Sequence, residues 1–108
     1  MIKKLFFIAF LLIFSQESIA QNSLEDKANE ITKEMARALS LSDAQKEKVF
    51  MIQFERFKEA NTIRENYRDE PQIKKAALKK VYNKLYGKLQ ATLGKELMNK
   101  WKDHKKNK

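Results

Sequence analysis

The sequence predicts an all-α protein: a secretory signal peptide over residues 1–20, then one small domain of three to four helices over residues 21–108. Three observations predict it. Only two glycines and one proline occur in 108 residues. No stretch alternates apolar and polar residues at period two, whereas apolar residues recur at steps of three and four. The unbroken apolar run Leu5–Phe14 follows Lys3 and Lys4 and precedes Ser18-Ile19-Ala20, the layout of a cleavable leader.

Ten apolar residues make a helix of about 15 Å, half of a hydrocarbon core of roughly 30 Å, which favours a leader over an anchor. Ser18 and Ala20 are small enough for a signal peptidase, so cleavage before Gln21 and export are expected. The mature chain would then carry no integral membrane segment. There is no cysteine, hence no disulfide and no lipid-modified cysteine. A small domain without disulfide or metal staples has a thin core, and a homodimer is the expected remedy.

The first helix is expected over Ser23–Leu39, with Leu24, Ala28, Ile31, Met35 and Ala38 as its apolar stripe and Ser23 as N-cap with Asp26 at N3. The second opens at Leu41-Ser42-Asp43-Ala44-Gln45, a capping box. The Ser42 hydroxyl accepts from the Gln45 amide, and the Gln45 side chain returns to the Ser42 amide. It should continue to Tyr67 or Arg68. Its apolar residues, among them Val49, Phe50, Ile52, Phe54, Phe57, Ala60 and Ile63, cover about 200° of the wheel, twice what one neighbour needs. Two neighbours, one of them across a dimer, would account for that; so would an exposed aromatic strip.

Pro71 fits the first turn of a third helix, capped by Asp69 or Glu70 and running to Gln90. Ile73, Ala77, Val81, Leu85 and Leu89 form its apolar row, with Leu78, Tyr82 and Tyr86 alongside. Lys74, Lys75, Lys79, Lys80, Lys84 and Lys88 are its charges, with no acid among them. A solvated face and a binding face both fit such a run. A turn over Thr92–Lys95 leads to a last helix carrying Leu97, Met98 and Trp101, and the basic tail 102–108 should fray.

Charge divides the chain: residues 21–72 carry a net −2 and residues 73–108 a net +10. Export argues against nucleic acid as the partner of the basic half. The anions left are lipid head groups, surface sugars and acidic patches on unfolded or envelope proteins. No Ser/His/Asp or Cys/His set and no glycine-rich phosphate loop is present, so neither enzyme activity nor catalytic residues are expected. His104 reads as a solvated tail residue. It shares no ligand spacing with Met35, Met51 or Met98, so neither metal nor cofactor is expected.

Leu41-Ser42-Asp43-Ala44-Gln45 is echoed by Leu93-Gly94-Lys95-Glu96-Leu97. The first copy resembles the LTxxQ motif of the Spy/CpxP family of periplasmic proteins, with Ser42 in place of threonine. In that family the motif occurs twice, each time opening a helix. The second copy departs from it at Gly94 and Leu97 and lacks the reciprocal side-chain bonds. With no side-chain acceptor to lose, Gly94→Ala should cost less than Ser42→Ala. The resemblance implies a long antiparallel helical hairpin, an antiparallel dimer of bent hairpins and a concave basic surface. It also implies an ATP-independent chaperone, a holdase for unfolded exported proteins. Alternatives within the family are an envelope-stress regulator that binds the periplasmic domain of a sensor kinase and, less favoured, a metal sensor or resistance protein. Lys75, Lys79 and Lys80 would attract clients, and Phe50 and Phe54 would hold them. Leu41, Ser42, Gln45 and Leu93 are the motif residues.

The leader reading is checked by intact mass. The exported protein should begin at Gln21, and a membrane fraction retaining Met1–Ala20 would refute it.

Overall fold

A computed structural model describes residues 22–107; the expected leader lies outside them. Four helices run through the described residues: α1 (22–39), α2 (Asp43–Asn66), α3 (Pro71–Leu93) and α4 (Lys95–Lys106). No strand occurs among these residues.

α1 is already helical at residue 22, so Ser23 lies inside it and is not its N-cap. Its buried positions are Ala28, Thr32, Met35 and Leu39. The buried stripe is therefore turned part-way from the expected one: Ala28 and Met35 stay in it, Thr32 and Leu39 face the core, and Ile31 and Ala38 flank it. α1 ends in a Schellman-type closure, in which the Leu41 N–H donates to the Ala36 carbonyl at 3.1 Å. That closure needs a left-handed residue at position 40, and Ser40 takes it at φ 54°.

Leu41, the last residue of this closure, immediately precedes the cap of α2. The Gln45 N–H donates to Ser42 Oγ (3.2 Å), and the Ser42 N–H donates to Gln45 Oε1 (3.0 Å). Both halves of the capping box are present, with Asp43 in the first turn. α2 stops at Asn66 as the chain turns through residues 67–69, closed by a bond from the Glu70 N–H to the Tyr67 carbonyl. Pro71 starts α3; Glu70 caps it through its backbone alone, with no side-chain bond.

α3 runs three residues past the expected end, to Leu93, and the expected turn shrinks to Gly94 alone. Gly94 sits at φ 90°, ψ 163°, a region essentially reserved for glycine. The overlapping caps of α3 and α4 impose this conformation: the Gly94 N–H closes on Gln90, and the Gly94 carbonyl accepts from Met98. α4 then continues to Lys106, so most of the tail expected to fray is helix. Side chains of that stretch also reach the rest of the fold. His104 Nε2 lies 3.3 Å from Glu34 Oε1 on α1, and Lys105 Nζ donates to the Tyr86 hydroxyl on α3.

All four helices meet in one core of Met35, Leu39, Val49, Leu85, Leu89, Leu93, Met98 and Trp101. Glu59 pairs with Lys84, and one turn back along α2 Glu55 pairs with Lys88, one turn further along α3. Stepping down one helix is matched by stepping up the other, so α2 and α3 lie antiparallel. α2 has α3 on one side and α1 on another, where Gln53 Nε2 donates to Met35 Sδ at 3.5 Å. Two neighbours within the chain thus cover part of its wide apolar arc, while Phe50, Phe54 and Phe57 stay half-buried. Ile73, which heads the apolar row of α3, is half exposed.

The joints set measurable costs. Ser42→Ala should destabilise by about 1 kcal/mol through the lost cap. Gly94→Ala should cost more, about 1–3 kcal/mol, reversing the order expected from side-chain capping alone. The reason is backbone strain, because a Cβ at Gly94 would meet nothing within 4 Å. Ser40→Gly should gain a few tenths to about 1 kcal/mol by relieving the left-handed serine. Thermal unfolding of the three variants checks this order, at about 4–8 °C per kcal/mol for a domain this size.

Candidate functional site

The motif residues are architectural. Leu93 is buried, and Leu41 packs against the same core from the other joint. The helices that follow, α2 and α4, begin directly after Ser42 and Gly94. Leu41, Ser42, Gln45 and Leu93 therefore hold helices in place: the two leucines pack on the core, and the polar groups of Ser42 and Gln45 are used in the cap.

Phe50 and Phe54 lie one turn apart on α2 with stacked rings, 5.8 Å between centroids and 29° between planes. Both are half-buried. They line an open hollow of about 480 Å³ with Glu25 of α1 and with Met51, Glu55 and Lys58 of α2. Lys58 Nζ stands 5.3 Å from the Phe54 ring, and the Arg56 guanidinium lies 4.0 Å from the Phe57 ring.

The lysines of α3 divide into two sets. Lys84 Nζ lies 2.9 Å from Glu59 Oε1, and Lys88 Nζ lies 3.0 Å from Glu55 Oε2. The hydrogen bond and charge of Lys88 lower the Glu55 pKa, and those of Glu59 raise the Lys84 pKa. The acids missing from α3 are thus supplied by α2. Lys75, Lys79 and Lys80 are exposed and make no ion pair among the described residues.

The structure does not bring the two expected client-binding groups together. By the register of the ion pairs, Phe50 and Phe54 sit level with Leu93 and Leu89, whereas Lys75 and Lys79 sit level with Arg68 and Arg64. At 1.5 Å per residue the separation along the axis is about 15 Å from Phe54 to Lys79 and about 27 Å from Phe50 to Lys75.

The aromatics beside the unpaired lysines are tyrosines. Lys75, Lys79, Tyr82 and Tyr86 follow one another at steps of four, three and four, which makes one stripe of α3. Tyr82 is 48% exposed, and its ring lies 5.0 Å from that of Tyr86. Tyr86 in turn faces α4. Lys105 Nζ donates to its hydroxyl at 2.6 Å, and the ammonium groups of Lys105 and Lys102 stand 5.1 and 5.7 Å from its ring centre. Burial pushes the Tyr86 phenol up, but the hydrogen bonds from Lys105 and Tyr82 and the two lysine charges outweigh it. The net direction is downward. The stepped spacing along α3 was a usable signal for this stripe. The contribution of α4 was not, because nothing local ties Lys105 to Tyr86.

His104 is half exposed, stacked on Trp101 at 5.4 Å and 16°. It belongs to the α1–α4 contact and is not a free tail residue. No group of three or more His, Cys, Asp or Glu among the described residues is placed to hold a metal ion. No helix among them is long and apolar enough to cross a membrane. No family model, no curated protein and no solved structure matches the chain.

The Tyr86 environment has a spectroscopic signature. In a titration followed by phenolate absorbance, Tyr86 should ionise below the ordinary tyrosine value of about 10. Tyr82, whose pKa its hydrogen bond to Tyr86 and its burial raise, should ionise after it. Lys105→Gln should move the Tyr86 midpoint upward. An unmoved midpoint would show that Lys105 does not govern this phenol.

Proposed function

We propose that the protein is a periplasmic, ATP-independent holdase of the Spy/CpxP type, which binds unfolded exported proteins through the lysine–tyrosine stripe of α3. The observation that carries the reading is the unpaired Lys75 and Lys79 on one stripe with the half-exposed Tyr82, with Lys80 exposed on another face of the same helix. A holder without ATP needs weak, plural contacts that form fast and release without work. Exposed ammonium groups give long-range attraction to acidic segments, and an exposed ring gives short-range contact that tolerates many sequences. The stacked Phe50–Phe54 pair offers a second, separate apolar contact. The antiparallel α2–α3 pair would serve as the hairpin platform for both, and a homodimer would enlarge it. Further support is that both copies of the leucine motif stand at helix starts.

A second reading rests on the same lysines: a regulator docking on the acidic surface of a sensor kinase's periplasmic domain. The two readings differ in breadth. A holdase acts on unrelated unfolded clients, whereas a regulator engages one folded partner.

Light scattering of an aggregating acidic client, without ATP, tests the proposal. Attraction between exposed charges is screened beyond about 8 Å at physiological ionic strength and beyond about 3 Å at 1 M, while apolar contact is not weakened by that salt. Capture should therefore slow as salt rises, while complexes already formed persist. Replacing Lys75, Lys79 and Lys80 by glutamine should slow association. Tyr82→Ala and Phe54→Ala should speed release, with circular dichroism unchanged. Lysine variants that protect clients as well as the parent at every salt concentration would reduce the run to a solvated face. A parent that protects no client would favour the regulator.

A further inference from the structure

We propose that the cleft between α3 and α4 is a binding site for a phosphate-bearing anion, a role separate from client holding although the cleft shares Tyr86 with the client-holding stripe. The cleft is a shallow hollow, open to solvent, of about 690 Å³, lined by Tyr86 of α3 and by Asn99, Lys102, Asp103, Lys105 and Lys106 of α4.

Lysines gather in the last turn of many helices because the terminal carbonyls attract cations. Here Lys105, in the last turn, is drawn to the neighbouring helix instead, and so is Lys102 just before that turn. Lys105 Nζ donates to the Tyr86 hydroxyl at 2.6 Å, and it lies 5.1 Å from the Tyr86 ring and 5.7 Å from the Trp101 ring. Lys102 Nζ stands over the same tyrosine at 5.7 Å. The Tyr86 ring thus holds both ammonium groups at the cleft wall.

The charge of the lining decides the ligand class. Three lysines against Asp103 leave a surplus of two positive charges. A phosphate monoester carries about −1.5 to −2 at neutral pH and offers three strong acceptor oxygens, so it cancels that surplus. A single carboxylate supplies half the charge and fewer oxygens. The donors suit a tetrahedral anion: three ammonium groups, which act as point charges without the planar preference of arginine, and the Asn99 amide. Tyr82, half exposed and in ring contact with Tyr86, extends the wall for whatever the phosphate is attached to. A phosphatidic acid head group and a soluble phosphate monoester present the same group, so the shared chemistry is the terminal phosphate itself.

Calorimetric titration of the purified protein with inorganic pyrophosphate at low ionic strength is one arm of the test. Flotation with phosphatidic-acid-containing vesicles, against phosphatidylglycerol vesicles, whose phosphate is a singly charged diester, is the other. Binding of pyrophosphate identifies soluble phosphate as a sufficient ligand, and binding only to phosphatidic acid vesicles identifies the lipid head group; either supports the site. Lys102→Gln with Lys106→Gln should weaken the binding at least about tenfold, the scale of a lost charged hydrogen bond. Lys75→Gln with Lys79→Gln, which lie outside the cleft, should leave it unchanged. Three results would overturn the site: binding of neither probe, equal losses from the two lysine pairs, or citrate binding as tightly as pyrophosphate. The holdase assay reads the other lysine pair, so failure here leaves that reading standing.

Discussion

Leu39 and Leu93 come from opposite parts of the chain, yet both lie in the core that Trp101 and Leu89 fill. A chain without cysteine has no covalent means of holding four helices together, so this single apolar cluster has to do it. The two tight joints decide whether the cluster can form. At one, Ser40 turns left-handed so that Leu41 folds inward before Ser42 opens α2. At the other, Gly94 alone reverses the path from α3 to α4, and Leu93 and Met98 enter the core on either side of it. Change either joint and the helix beyond it points elsewhere.

Electrostatics follows from that arrangement. With α2 antiparallel to α3, Glu55 and Glu59 fall beside Lys88 and Lys84, and the paired charges lie where the two helices touch. The lysines nearer the turn meet no such partners and keep their field for solvent. Near the other end, Trp101 docks α4 so that its lysines meet Tyr86. The basic half of the sequence is thus three surfaces: one neutralised, one open and one folded around a ring.

Features set by neighbouring residues were legible in the sequence: the all-helical class, the Ser42–Gln45 cap, the start of α3 at Pro71 and the break at Gly94. Those set by distant contacts were not. Gln53 is 1% exposed in the centre of the apolar arc of α2; a hydropathy wheel cannot place a polar side chain in a core, because the reason is its bond to Met35 on another helix. The width of the α2 arc was read correctly, but a wheel cannot say which neighbour fills it, and α1 does part of what a second subunit was expected to do. For the candidate site, Lys75, Lys79 and Lys80 stand exposed as expected. Their separation from Phe50 and Phe54 depends on the register of α2 against α3, which no local pattern encodes.

The unequal shielding of the methionines carries a chemical consequence. Met35 is fully buried beneath Gln53 and Met98 is 3% exposed, whereas Met51 is 63% exposed beside the groove between α2 and α3. A peroxide reaches the Met51 thioether first and converts it to a sulfoxide, a polar group that solvent accommodates at that position. The same oxygen on Met35 would fall on the sulfur that accepts from Gln53 and would break the core from within. Mild oxidation therefore marks the surface of this protein and leaves its fold intact, while deeper oxidation has to wait for the helices to part.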